Sequence, residues 1–177
     1  MKTSLTSPLQ IAEVPVAGCT GLIGITFCPG KKDAIAGWNR SLDLDLEAIH
    51  RWGARRVITL IEPHEFDLLQ VPDLGRAIEQ RSMGWHHLPI KDVSIPDARF
   101  EAAWPDHSEQ IHLTLSAGKR VLIHCRGGLG RAGLVAALLL IERGVSPPQA
   151  IDFVRAARPG AIETSAQERY LGRLRQT

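Results

Sequence analysis

The chain has 177 residues, 44% of them apolar, and a formal charge of +2. That length and apolar content fit one domain with a sizeable core, and a near-neutral chain without a long basic run or an interleaved aromatic stripe gives nucleic-acid binding no compositional support. Its three cysteines, Cys19, Cys28 and Cys125, lie far apart with no Cys-x-x-Cys spacing, so neither a zinc site nor a disulfide framework is indicated, and no apolar run approaches a membrane span.

Residues 1–10 read as a loose arm, polar and without the charged-then-apolar pattern of a signal peptide; with the unpaired cysteines this predicts a cytoplasmic protein that engages no membrane. Val14-Pro-Val-Ala and Leu22-Ile-Gly-Ile-Thr-Phe, split by Gly18-Cys-Thr-Gly21, predict a β-hairpin in which Pro15 confines the first run to a sheet edge. Cys28 then enters a basic turn with Lys31 and Lys32, where a buried or turn thiol and solvated lysines are the ordinary reading, against a second redox cysteine and lysines that attract a phosphorylated partner. Leu42, Leu46 and Ile49 repeat at helical spacing behind Ser41, and Gly53 stops that helix. Arg56 to Ile61 reads as a short buried strand. Glu62-Pro-His-Glu65 begins like a zinc-protease helix but has Leu68 where a second histidine belongs, which rules that reading out.

Leu68 to Arg81 predicts one or two helical pieces broken at Pro72, and Trp85 to Leu88 the next strand. Adjacent His86 and His87 face opposite sides of such a strand, which argues against a shared metal. A proline-bounded loop, Pro89 to Asp97, follows; Asp97, just ahead of the next apolar-periodic segment, suits a helix N-cap. Ala98 to Ala117 reads as a long helix stopped by Gly118, and Arg120 to His124 as a strand.

That strand feeds Cys125-Arg126-Gly127-Gly128-Leu129-Gly130-Arg131-Ala132-Gly133, after which an almost wholly apolar helix runs from Leu134 to Ile141. Glycines let successive N–H groups turn inward, and the next helix adds its own unpaired N–H groups and positive end, so the loop is a cradle for a tetrahedral anion. Its field favours thiolate over thiol at Cys125 and so makes a nucleophile. Arg131 offers a planar fork of donors for phosphoryl oxygens. Beyond it, Ser146-Pro-Pro-Gln149 has capping-box spacing and opens a helix that Arg158-Pro-Gly160 ends, and a last helix starts near Thr164.

His124-Cys125-x5-Arg131 resembles the active-site loop of the cysteine-dependent protein tyrosine and dual-specificity phosphatases, most of all that of the cyclin-dependent-kinase-associated phosphatases. The likeness runs from about Trp38 to Leu171 and is strongest from Trp85 to Tyr170. It implies an α/β fold, one domain over residues 1–177, with a central, mostly parallel sheet of four to five strands flanked by helices. It also implies metal- and cofactor-independent hydrolysis of phosphomonoesters through a phosphocysteine. Cys125 is then the nucleophile, Arg131 and the loop residues Arg126, Gly127, Gly128, Leu129 and Gly130 the phosphoryl cradle, and His124 a supporting residue at the strand end. Asp92, after the Pro-Ile pair, matches the acid that protonates the leaving oxygen, ahead of Asp97 as the other candidate for that acid; a turn aspartate is the plain alternative. Arg40 matches a structural arginine of small dual-specificity phosphatases. The implied partner is a phosphorylated protein, with phosphotyrosine as substrate and phosphoserine or phosphothreonine admitted by a shallower pocket. Nothing in the sequence sets an oligomeric state.

Two positions depart from the family pattern. Ala132 stands where most members carry Ser or Thr, and Glu163 where a water-positioning glutamine is expected. The second glutamine position is matched by Gln167, which either assists water or completes a capping box with Thr164. Three competing readings remain. Gly128-x-Gly130-x-x-Gly133 also matches a dinucleotide fingerprint, but the acidic residue expected about twenty positions on falls on Asp152 inside a helix pattern. Sulfurtransfer uses a similar cysteine loop without needing Asp92, and a binding module would capture phosphoproteins without turnover.

Overall fold

The computed structural model describes residues 1–174. Two strands at the N-terminal end, β1 (Ala12–Pro15) and β2 (Leu22–Thr26), form the expected hairpin, and a two-stranded ribbon follows, β3 (Lys32–Asp33) with β4 (Trp38–Asn39). Next come α1 (Leu42–Trp52), β5 (Ala54–Thr59), α2 (Pro63–Leu68), α3 (Leu74–Glu79) and β6 (Gly84–His87). The chain continues through α4 (Ala98–Ser116), β7 (Arg120–His124), α5 (Gly130–Glu142), α6 (Pro147–Ala157) and α7 (Ser165–Gly172). The main sheet has the order β1-β2-β7-β5-β6; only the β1–β2 pair is antiparallel, and Pro15 sits on the edge strand as its missing N–H requires. This is the mostly parallel α/β architecture expected.

Strand β7 lies at the centre, and its alternation feeds both faces: Val121 and Ile123 pack in the layer that holds α4 to α7, Leu122 in the layer that holds α1 and α3. Helix α5 is buried at every position from Gly130 to Ile141, as its all-round apolarity predicts. Among the described residues no helix is long and apolar enough to cross a membrane.

Several local expectations change. Residues 1–10 are tied down: the Lys2 N–H donates to Gly37 O at 2.7 Å, Lys2 O accepts from the Asn39 N–H, and Ser7 O accepts from Arg40 Nη1 at 2.7 Å. Arg40 is structural, forming a fully buried fork with Asp45. Lys31 is not a solvated turn lysine, for its side chain lies under the β3–β4 ribbon. The first helical piece after β5 begins at Pro63, ahead of Leu68, because proline suits the first helical position and the Glu65 carboxylate accepts from the Glu62 N–H at 2.7 Å. No capping box forms at Ser146; its hydroxyl donates to Gln149 Oε1 instead. His86 and His87 do face opposite ways, His86 toward Arg56 and His107, His87 toward Ile61 O and Phe66.

Candidate active site

The parallel strands β2, β7, β5 and β6 end at one edge of the sheet, and the loop 125–129 closes over that edge before α5 begins. Its path is possible only with glycine: Gly128 has φ +68°, and a Cβ there would lie 2.4 Å from the Thr26 carbonyl carbon. The loop carbonyls turn outward to fixed donors. Arg126 O accepts from Lys31 Nζ and the Cys28 N–H, Gly127 O from Arg158 Nη2, and Gly128 O from Arg158 Nε at 3.0 Å. With the carbonyls bound outside, the N–H groups are left for the interior. The Gly128 N–H donates to Cys125 Sγ at 3.2 Å, and those of Gly127 and Leu129 meet no protein acceptor among the described residues. Cys125 is almost fully buried, at the base of a cleft of about 290 Å³ that Lys31, Asp33, Trp38, Asp92, Arg126, Leu129 and Glu163 also line.

Arg131, on the first turn of α5, is 1% exposed. Glu65 grips its two terminal nitrogens at 2.6 and 3.0 Å, Ile90 O accepts from Nη1, and Asp92 Oδ1 lies 3.0 Å from Nη2. Its Nε is buried with no partner among the described residues. An orphaned donor on a buried guanidinium is costly unless a ligand takes it, and beside the cradle the ligand of matching chemistry is an anion. Burial opposes the charge on Arg131, but the bonds to Glu65 and the neighbouring negative charges outweigh it and hold its pKa above the ordinary value.

Asp92 and Asp97 take separate places. Asp92 lines the Cys125 cleft, and its Oδ1 also accepts from the Val93 N–H. Asp97 caps α4, accepting from the N–H groups of Arg99 and Phe100, and lines a different hollow with Glu62 and His87. His124 is fully buried beneath the loop, and burial lowers its pKa to about 4, so the ring is neutral at ordinary pH. Trp85 Nε1 donates to Thr59 Oγ1 at 2.9 Å, which frees the Thr59 hydroxyl proton for His124 Nε2 at 2.8 Å and puts the ring proton on Nδ1, facing Cys125 O. Cys28 is buried, which pushes its thiol pKa up and keeps it a thiol.

Gln167 is fully buried and committed at both ends of its amide: Oε1 accepts from the N–H groups of Glu163 and Thr164, completing the capping box, and Nε2 donates to Ser94 O in the loop that carries Asp92. It thereby joins α7 to that loop.

Sequence reasoning missed Glu65, Lys31 and Arg158. Lys31 Nζ lies 4.2 Å from the Trp38 ring centroid and 4.7 Å from that of Phe27, and burial lowers its pKa to about 8. For Glu65 the signal was present, a carboxylate six residues past the end of β5 and two past a proline, but only the failed zinc motif drew notice to it.

A thiol, inward loop amides and a carboxyl group in one cleft, with a buried guanidinium against that carboxyl group, can take a phosphoryl group in line and protonate what leaves. Comparisons with known proteins agree. A family model described as cyclin-dependent kinase inhibitor 3 matches residues 3–151. Cyclin-dependent kinase inhibitor 3 of Mus musculus is 34% identical over 96% of this chain and 80% of its own, and that of Homo sapiens is 33% identical over the same shares. Among solved structures, a kinase-associated phosphatase with its catalytic-site cysteine replaced by serine superposes with a TM-score of 0.83 at 32% identity, covering 93% of each chain. The active form of the phosphatase Tk-PTP superposes at 0.68 with 28% identity, over 92% of this chain and 98% of its own.

Proposed function

The chain belongs to the cyclin-dependent kinase inhibitor 3 family of cysteine-dependent tyrosine and dual-specificity phosphatases, and on that footing we propose that it dephosphorylates phosphoproteins by double displacement, with Cys125 as nucleophile. The observation that carries this is the Cys125 sulfur seated on the Gly128 N–H, in a cleft shared with Asp92, whose Oδ1 lies 3.0 Å from Arg131 Nη2. Cys125 attacks phosphorus, the P–O bond to the substrate breaks, and Asp92 gives its proton to the departing oxygen. Arg131 and the amides of residues 126–131 hold the equatorial oxygens; His124, neutral, orients the loop through Thr59. Water then attacks the phosphocysteine, Asp92 takes its proton, and the thiolate departs. Gln167 acts here through the acid loop, by holding Ser94 O.

Asp92 sits on Arg131 in the substrate-free site, so an arriving phosphoryl group takes its place on the guanidinium and releases the carboxyl group toward the leaving oxygen. Asp92→Asn is expected to lower kcat by roughly 10²–10⁴, more on alkyl than on activated aryl phosphates, whereas Asp97→Asn weakens the α4 cap and leaves turnover unchanged. Undiminished turnover in Asp92→Asn would instead favour sulfurtransfer. Ala132 supplies no hydroxyl to stabilise the departing thiolate, so phosphoenzyme hydrolysis limits turnover: rapid-quench assays with an aryl phosphate show an initial burst, and Ala132→Ser raises the steady-state rate. A linear time course from the first turnover, with no gain from the serine, counts against this.

We take phosphotyrosine as the first substrate, with phosphoserine and phosphothreonine admitted, in the reducing cytoplasm that suits three free cysteines. Residues 1–177 act as one domain in this reading. A panel of phosphopeptides, nucleotides and inositol phosphates assayed with purified protein tests the substrate class; turnover confined to the small molecules would overturn the phosphoprotein assignment.

A further inference from the structure

Glu163 occupies the cradle itself. Its Oε2 accepts from the Gly130 N–H at 3.0 Å, one of the first-turn amides of α5 that have no helical partner and lie at the positive end of the helix. The carboxylate lies flat on the glycine: a Cβ on residue 130 would stand 2.4 Å from Oε2, so no other residue type at that position admits it.

The backbone that delivers Glu163 is held from several sides. The Ile162 N–H reaches Leu129 O, the Glu163 N–H donates to Gln167 Oε1 at 2.9 Å, and Ile162 is held at φ +58°. A β-branched residue in the left-handed region is strained and persists only where its surroundings impose it. The other two carboxylates lining the cleft each have a cation, Asp33 with Arg126 and Asp92 with Arg131. Glu163 has none among the described residues, and the Gly130 N–H is the only hydrogen-bond partner of its carboxylate there.

We propose that Glu163 is a resident anion of the phosphoryl cradle, a positioning residue whose carboxylate holds the Gly130 amide until a phosphoryl group displaces it. It thereby weakens binding of dianionic substrates. This rests on the phosphatase reading. A phosphoryl group seated on loop amides 126–131 claims the same N–H, so substrate and side chain compete for one donor and repel each other as like charges. The tethered carboxylate is always at hand, so free-site affinity for oxyanions falls while the strained 161–163 segment stays where it is.

Glu163→Gln separates charge from structure, because the amide oxygen still accepts from Gly130 while the negative charge is gone. Titrating tungstate into wild type and Glu163→Gln by calorimetry should show about tenfold tighter binding in the variant, the order expected from removing one like charge at close range in a half-solvated cleft. KM for an aryl phosphate should fall by a similar factor, with a smaller change in kcat. Glu163→Ala should tighten tungstate as well, whatever it does to the melting temperature. Unchanged or weaker tungstate binding in both variants overturns the proposal, even if either variant is less stable. The titration needs no turnover: absence of Cys125-dependent hydrolysis in wild type would overturn the phosphatase reading and leave the tungstate result to decide the place of Glu163.

Discussion

Replacing Cys125 with serine is expected to leave a folded protein whose turnover of any phosphomonoester falls by about 10⁴-fold or more, the scale of losing an activated nucleophile. In the proposed mechanism the sulfur owes its reactivity to its surroundings: one amide donates to it at 3.2 Å, and the N-terminus of α5 and the Arg131 guanidinium add positive potential. Those same donors cannot make an alkoxide from serine, whose hydroxyl gives up its proton far less readily than a thiol. The change leaves the loop amides and Arg131 in place, so phosphate and tungstate are expected to bind the variant about as tightly as wild type. Stability changes little, because serine is near in volume and its oxygen keeps the Gly128 N–H as a donor. The diagnostic result is therefore the pair: binding retained, turnover lost. Full activity in the serine variant would remove the covalent mechanism altogether.

How much of this the sequence carried depends on the range of each interaction. The hairpin, the stops at Gly53 and Gly118, the cap at Asp97 and the burial of α5 are written in neighbouring residues, where turn chemistry and periodicity act over a few positions; the hairpin's first strand starts two residues early, at Ala12, and the others stand where they are expected. The cradle was legible for the same reason, since all its members lie between Cys125 and Arg131. What could not be read are the partners brought in by folding. Lys31 and Arg158 hold the loop's outward carbonyls from segments 95 and 30 residues away, and nothing near them in sequence marks a lysine that will be buried under Trp38 or an arginine at a helix end that will turn back to the loop. The sequence marks Glu163 as a departure from the family's glutamine, a matter of residue type that sequence discloses. Its seat on the Gly130 amide is a matter of geometry.

Glu65→Gln is the second change with a large effect, on both stability and catalysis. Glu65 and Arg131 are almost completely buried, and their two contacts at 2.6 and 3.0 Å make a bidentate pair. Removing one partner strands the other charge, which costs about 3–5 kcal/mol in comparable buried pairs. Asp92 and Ile90 O soften that loss without replacing the fork, so Glu65→Gln should lower the urea midpoint and the melting temperature markedly at neutral pH. The pair's pH dependence has a definite sign. Burial alone would raise the Glu65 carboxyl, but the Arg131 hydrogen bond, the Glu62 N–H and the charge of Arg131 outweigh it and hold its pKa below the ordinary 4.5. A carboxyl group depressed on folding stabilises the native state above its unfolded value and loses that contribution as pH falls through the folded one. The stability gap between wild type and Glu65→Gln should thus be widest above about pH 4.5 and close in stronger acid. Catalysis falls for a different reason: without Glu65 the guanidinium is free to rotate, and its unpaired Nε is no longer aimed by the rest of the group. Replacing both partners with apolar residues, Glu65→Leu with Arg131→Met, should recover much of the stability, since no charge is left buried alone, while turnover stays lost. If Glu65→Gln instead matched wild type in both midpoint and kcat/KM, the guanidinium would be set by Asp92 and Ile90 alone, and Glu65 would have no part in the site.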